Sequence, residues 1–229
     1  MRAGDLKTIR ELPLFEGVAD GHFNTLVAAA YLQRLPAGIT FFEEGEVPDF
    51  LHIVVEGAVE LFAQSGGRQT TIDIIRPVAT FILAAVVRDE VYLKSARTLT
   101  AARILLIPAP VVRDVFGRDA RFARAVVNEL ADRYRGLVRE LKNQKLRTGA
   151  ERLANWILQA ERLQGSRGQI ELTFDKRTLA SQLGMTAENL SRNLATLVNH
   201  GVSTSGRKIT VTDRPALERW AQPNSLIDA

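Results

Sequence analysis

Residues 173–200, TFDKRTLASQLGMTAENLSRNLATLVNH, constrain the fold more than any other stretch of the chain. Leu179, Leu183, Leu190, Leu194 and Leu197 recur at helical spacing and form one apolar stripe. The pattern predicts a first helix over Thr178–Leu183, a turn at Gly184-Met185, and a second helix capped by Thr186. Glycine suits that turn because it enters a left-handed backbone without strain. The second helix opens with a polar run: Glu188, Asn189, Ser191, Arg192 and Asn193. Helix, glycine turn and helix with a polar opening read as a helix-turn-helix, whose second helix enters the DNA major groove. Glu188 and Arg192 lie four residues apart, so an intrahelical ion pair on a solvated face is the competing reading.

Composition narrows the classes. A length of 229 residues suits one large or two small domains. There is no cysteine, so no disulfide, thiolate zinc site or cysteine-ligated iron–sulfur cluster can form. The N-terminus carries Arg2, Asp5, Lys7, Arg10 and Glu11 and lacks the apolar core of a signal peptide. The most apolar run, Pro77–Val87, is too short to span a bilayer. A cytoplasmic protein without a membrane partner is expected. The net charge of +4 is unevenly placed. Residues 1–144 balance, with eighteen basic and eighteen acidic groups, whereas residues 145–229 hold twelve basic against eight acidic. A basic C-terminal third that contains the helix-turn-helix suits a phosphate-binding surface.

Periodicity changes along the chain. Residues 5–34 read as short helices, Leu12–Phe15 and then Asp20–Leu35. Ile39–Glu44, Phe50–Glu56, Val59–Gln64, Thr70–Ile75 and Arg103–Ile107 read as strands separated by glycine turns, the pattern of an antiparallel sandwich or barrel. Residues 110–145 read as one long helix. Along it Ala123, Val127, Leu130, Tyr134, Leu137, Leu141 and Gln144 alternate at spacings of four and three, a narrow seam that favours dimerisation over a core-facing stripe. A hinge at Arg147-Thr148-Gly149 follows, then a helix to Leu163, a turn at Gly165–Gly168 and a short strand over Gln169–Thr173. After the helix-turn-helix, Val202–Val211 reads as a β-hairpin, which makes the motif a winged one, and Leu217–Ala221 closes the domain. The expected class is α+β. It comprises a β-roll over 1–117, a dimerisation helix over 118–145 and a winged helix-turn-helix over 146–229.

This order resembles the CRP/FNR superfamily of bacterial transcription regulators over nearly the whole chain. The N-terminal likeness runs through Gly38–Glu46 and Phe50–Leu61, which resemble the family's cyclic-nucleotide-type β-roll. The C-terminal likeness runs through Leu179-Ala180, Leu183–Thr186 and Glu188-Asn189-Leu190-Ser191-Arg192. In the FNR-like branch a Glu-x-x-Ser-Arg recognition helix reads TTGAT or a close variant. The CRP branch has an arginine directly before the glutamate, where this chain has Ala187. The resemblance implies a homodimer on double-stranded DNA, with RNA polymerase as a further partner if the protein activates. It implies that Arg192 donates to guanine, Glu188 accepts from cytosine, and Ser191 meets a base edge or a thymine methyl. Thr186 and the helix N-terminus, with Lys176 and Arg177 before the first helix and Arg207 and Lys208 on the wing, are candidates for phosphate contact.

The effector is less legible. Cyclic-nucleotide binders of the family carry Gly-Glu-Leu and, about a strand later, Arg-Ser-Ala. Leu83-Ala84-Ala85 and Lys94-Ser95-Ala96 stand at those places. The ribose-binding carboxylate is lost, and a lysine cannot reproduce a bidentate guanidinium contact. This disfavours cyclic AMP, while Lys94 and Ser95 still offer a cation and a hydroxyl. The segment Phe81–Val87 either lines a pocket for haem or another apolar effector, as in the nitric-oxide and carbon-monoxide sensors of the superfamily, or packs as core. His22, His52 and His200 are the axial-ligand candidates. His52 reads as structural, His200 as a cation closing the recognition helix, and His22 as the remaining metal candidate. No nucleophile–base pair or phosphate loop points to an enzyme.

Overall fold

The computed structural model describes residues 3–165 and 167–228; Arg2 of the N-terminal run and Ser166 of the Gly165–Gly168 turn lie outside them. The chain divides into two compact units, Met1–Tyr134 and Arg135–Ala229.

The first unit opens with α1 (Ala3–Arg10), a single 3-10 turn at Pro13–Phe15 and α2 (Asp20–Ala28). Eight strands follow: β1 (Tyr31–Leu35), β2 (Thr40–Phe42), β3 (Phe50–Glu56), β4 (Val59–Ser65), β5 (Arg68–Ile75), β6 (Ala79–Phe81), β7 (Ser95–Thr98) and β8 (Ala102–Pro108). Between β6 and β7 lies α3 (Leu83–Arg88), and after β8 come α4 (Ala109–Arg118) and α5 (Ala120–Leu146). The strands form two antiparallel four-stranded sheets, in the orders β1-β8-β3-β6 and β2-β7-β4-β5. Phe42, Val54, Val59, Leu61, Ile75, Phe81, Tyr92, Ala96, Ala102 and Ile104 fill one core. A second core joins Leu51, Ile53, Leu105 and Ile107 to α1, α2, α4 and the start of α5, through Ile9, Phe15, Leu26, Val112, Phe122 and Val126. Burying such side chains contributes about 1.5–3 kcal/mol each and sets which strand face points inward.

Two sequence expectations are corrected here. Tyr31–Leu35 is an edge strand, because α2 stops at Ala28 and β1 pairs with β8 from Tyr31↔Leu106 to Leu35↔Ala102. Local helix propensity in the alanine-rich 28–30 stretch yields to this non-local pairing. The helix expected over 110–145 is two helices. Asp119 sits between them in extended conformation, and its Oδ1 accepts from the N–H groups of Arg121 and Phe122. Its Oδ2 accepts from Ala19 N–H at 3.1 Å and lies 2.9 Å from His22 Nδ1, tying α2 to the start of α5. The Phe122 N–H first, and His22 next, hold the Asp119 carboxyl well below the usual range. The apolar run Phe81–Val87 is split by a left-handed Ile82. Phe81 enters the inter-sheet core, whereas Leu83 and Val86 enter the helical one.

The second unit holds the last part of α5, then α6 (Gly149–Leu163), β9 (Gln169–Glu171), α7 (Lys176–Gln182), α8 (Ala187–Val198), β10 (Val202–Ser205), β11 (Lys208–Val211), α9 (Arg214–Ala221) and α10 (Ser225–Asp228). Thr148 and Glu151 form a capping box that starts α6. Leu153, Ile157, Leu179, Leu190, Leu197, Ile209 and Leu217 are fully or almost fully buried. The strands make a three-stranded sheet in the order β10-β11-β9. Among the described residues, no helix is long and apolar enough to cross a membrane.

Candidate functional site

The site is built by two helix caps and one turn. Asp175 caps α7 by accepting from Thr178 N–H at 2.7 Å, a bond that also lowers its pKa. The helix therefore begins at Lys176. Lys176 and Arg177 lie in its first turn rather than before it, Arg177 exposed and Lys176 half-buried. The missed signal is Asp175, an N-cap residue three positions before Thr178. At the far end Met185 N–H reaches Ala180 C=O at 2.9 Å and Gly184 N–H reaches Ser181 C=O at 3.0 Å. This is a Schellman closure with glycine in the left-handed position, at φ +63°. A Cβ on Gly184 would meet only the flexible end of Gln144, 2.6 Å from its Oε1, so it is the left-handed backbone that restricts the position.

Thr186 then caps α8, its Oγ1 accepting from Asn189 N–H at 3.1 Å, which leaves the hydroxyl proton free for a phosphate. Leu190, Leu194 and Leu197 bury one face of α8. Glu188, Asn189, Ser191 and Arg192 stand exposed on the remaining surface, with Asn193 half-buried and bonded to Met185 Sδ. Arg192 Nη2 lies 2.6 Å from Asn189 Oδ1 and 3.5 Å from Glu188 Oε1. Ser191 Oγ donates to Ala187 C=O at 3.1 Å, as a serine one turn into a helix commonly does. Across the wing Ser205 pairs with Lys208, leaving Gly206-Arg207 as a two-residue loop with positive φ at Gly206 alone, the pattern of a type II′ turn. Arg207 and Lys208 are exposed there.

Two arginines brace this unit, Arg147, read from the sequence only as part of a hinge, and Arg152, which the sequence reading passed over. Arg152 Nε donates to Leu183 C=O at 2.9 Å and its Nη1 to Arg147 C=O at 2.8 Å, so α6 holds the end of α7. Arg147 makes a bidentate pair with Asp228, both contacts 2.6 Å, which raises its own pKa. Their acceptors lie up to eighty residues away, so no local pattern announces them.

The expected effector residues do not converge in the first unit. Phe81 and Leu83 belong to different cores and Ala84 is exposed. Ser95 is buried, its hydroxyl accepting from Glu44 N–H at 3.0 Å. Lys94 is half-buried; burial lowers its pKa, Asp73 opposes this, and Arg133 adds to it. Arg97 is committed to the buried Glu60 at 2.6 Å. His52 lies within 5.5 Å of the rings of Phe41, Phe42 and Phe81, and burial pushes its pKa down to about 3. His22 is held by Asp119. His200, expected as a helix-closing cation, instead stacks on Trp220 at 5.1 Å. Among the described residues no three His, Asp or Glu are grouped to hold a metal.

On α5, Tyr134 is 68% exposed, Leu137 63%, Val127 58% and Leu141 56%, whereas Leu130 packs partly on the core of the first unit. The exposed stripe is therefore continuous except where Leu130 turns inward.

Comparison with known proteins agrees with this architecture. The Crp-like helix-turn-helix domain family matches residues 151–220, and the cyclic nucleotide-binding domain family matches residues 32–119. A CRP-like cAMP-activated global transcriptional regulator of Mycobacterium tuberculosis is 24% identical over 215 residues, 91% of this chain and 96% of that protein. A solved regulatory protein of Silicibacter pomeroyi is 25% identical with TM-score 0.65, covering 97% of this chain and all (100%) of the other. FixK2 of Bradyrhizobium japonicum, 23% identical, shares the fold at TM-score 0.73 over 87% of this chain and 98% of its own. The two domain matches, in the order sensor then helix-turn-helix, and a regulator relative spanning nine-tenths of the chain place this protein in the CRP/FNR superfamily of DNA-binding transcription regulators.

Proposed function

We propose that the chain works as a homodimer that reads a near-palindrome of TTGAT-like half-sites. Residues 1–117 would serve as sensor, 118–145 as dimer helix and 146–229 as reader. One observation carries the reading: Glu188, Ser191 and Arg192 are exposed on a helix whose opposite face is buried by three leucines and whose start is fixed by Thr186. In a major groove this face offers guanidinium donors to guanine O6 and N7 and a carboxylate acceptor to cytosine N4. Thr186, Lys176, Arg177, Arg207 and Lys208 are assigned to phosphates, which position the helix without reading sequence. The exposed stripe of Val127, Tyr134, Leu137 and Leu141 supports the dimer. A binding-site selection on randomised duplex tests the proposal. The expected product is two half-sites about 34 Å apart, one helical turn. Enrichment of no motif would contradict it.

The proposed effector is not cyclic AMP. Ala84 presents no carboxylate, and the Ser95 hydroxyl already serves the Glu44 backbone. A second reading has Lys94 and Ser95 hold a cyclic nucleotide's phosphate; the half-buried cation and the cAMP-activated relative favour it. Calorimetric titration with cyclic AMP and cyclic GMP decides between them, and micromolar binding of either would overturn the first. Haem is left out of the proposal because Phe81–Val87 packs into two cores and three phenylalanine rings surround His52, although His22, held by Asp119 through Nδ1, keeps Nε2 for a ligand. A Soret band in protein mixed with haem would contradict that.

A further inference from the structure

In the first turn of α8, Asn189 is an exposed polar side chain that the base-reading trio leaves out. Asn189 is the third residue of the helix, and its backbone N–H is fixed by Thr186. Its Oδ1 accepts from Arg192 Nη2 at 2.6 Å, while the Glu188 carboxylate lies 3.5 Å from the same nitrogen. The short partner of Arg192 is thus a neutral amide, although a carboxylate stands at the i−4 position where an ion pair would form.

The difference has chemical consequences. A carboxylate at hydrogen-bond distance would satisfy the guanidinium and offset its charge, and that pair would have to separate before Arg192 met guanine and Glu188 met cytosine. An amide oxygen fixes one guanidinium nitrogen and leaves the full positive charge in place. The remaining N–H groups keep the planar fork that guanine O6 and N7 require. An exposed arginine loses side-chain freedom on docking, and a partner already present in the free helix removes part of that loss beforehand.

We propose that Asn189 is a positioning residue for Arg192: its amide oxygen takes the close hydrogen bond to the guanidinium, leaves Glu188 only the looser 3.5 Å ion pair, and aims Arg192 at the guanine of each half-site. This rests on the reading of α8 as the recognition helix. Asn189 then sets how sharply one G·C pair is distinguished, without needing a base of its own.

The test uses full-length protein, the selected palindrome, and duplexes in which that G·C pair is replaced in both half-sites by each other pair, with binding followed by fluorescence anisotropy. Wild type should discriminate on the order of ten- to a hundredfold at this pair. Asn189→Ala should lose at least about fivefold of that ratio and keep wild-type preference elsewhere. Asn189→Asp keeps an acceptor of the same shape but puts a carboxylate at hydrogen-bond distance, so it should lose discrimination as Asn189→Ala does and also bind every duplex more weakly. Three results would overturn the proposal: full discrimination in Asn189→Ala, a change in that variant confined to a different base pair, or full discrimination kept in Asn189→Asp. The second would show that Asn189 reads a base directly. Failure of the underlying reading looks different, because Arg192→Ala would then keep wild-type preference at every position.

Discussion

The two units use their polar residues in opposite ways. In Met1–Tyr134 the charged and hydroxyl side chains of the sheets serve the fold: Glu60 accepts from Thr71 and Arg97, Ser95 from the Glu44 backbone, and Asp119 from three backbone N–H groups. In Arg135–Ala229 the fold is braced from behind by Arg147, Arg152 and the caps of α6, α7 and α8. That leaves Glu188, Asn189, Arg192, Arg207 and Lys208 facing solvent. A polar side chain bound inside its own domain has little left to offer a ligand, whereas one on a braced, exposed face can meet a partner without rearrangement. The contrast supports the proposed readout by the second unit, whose polar side chains stay exposed.

The largest effect should come from Leu137→Asp. It would put two carboxylates into an apolar interface, and burying an unpaired charge is very costly. Sedimentation should report half the wild-type mass; an unchanged mass would remove α5 as the dimer helix and leave its exposed stripe unexplained.

Titration sharpens the contrast from the other side. His52 has a folded pKa of about 3 against an ordinary value of 6.5. The native state therefore refuses a proton that the unfolded chain accepts. Stability from this group is complete above pH 6.5 and falls as pH drops from 6.5 toward 3, by up to roughly 1.4 kcal/mol per pH unit. His52→Leu should flatten that fall in denaturant melts between pH 7 and 5. Equal slopes in the two proteins would place His52 in a more polar setting than its three aromatic neighbours imply.

Asp119 shifts in the same direction for a different reason, because hydrogen bonds to its charged form, the Phe122 N–H first, hold it down rather than burial. Its depressed pKa means that its contribution is present above the ordinary carboxylate value and lost as pH falls through the folded one. Asp119→Ala should cost about 2 kcal/mol, the upper end for an N-cap. A loss below about half a kcal/mol in thermal melts would show that the α4–α5 break does not depend on this side chain.

The smallest effect belongs to the wing. Arg207→Ala should weaken binding to all duplexes alike and flatten the dependence of log K on log salt by about one unit. A sequence-selective change would move Arg207 from the phosphates to the bases.

These contrasts explain what could be read from the chain alone. The helix-turn-helix was legible because its signals are local: leucine spacing, Gly184 and Thr186 all act within a few residues. The wing at Gly206 was legible for the same reason. β1, β6, β7 and the division at Asp119 were not. Tyr31–Leu35 becomes a strand only through β8, seventy residues on, and Asp119 caps α5 while holding Ala19 and His22 from another helix. The bracing pair Arg147–Asp228 is equally non-local. The packing of Phe81 and Leu83 was not legible either, because the two, two residues apart, enter different cores across a left-handed Ile82.

The account stands on α8 as the reading helix. Its most direct test measures Arg192→Ala against wild type on the selected palindrome and on every single-pair substitution of it, both proteins being folded and dimeric. The account predicts a loss on the order of 1–3 kcal/mol on the palindrome, with preference relaxed at one G·C pair per half-site and kept elsewhere. Wild-type preference at all positions in Arg192→Ala would contradict it.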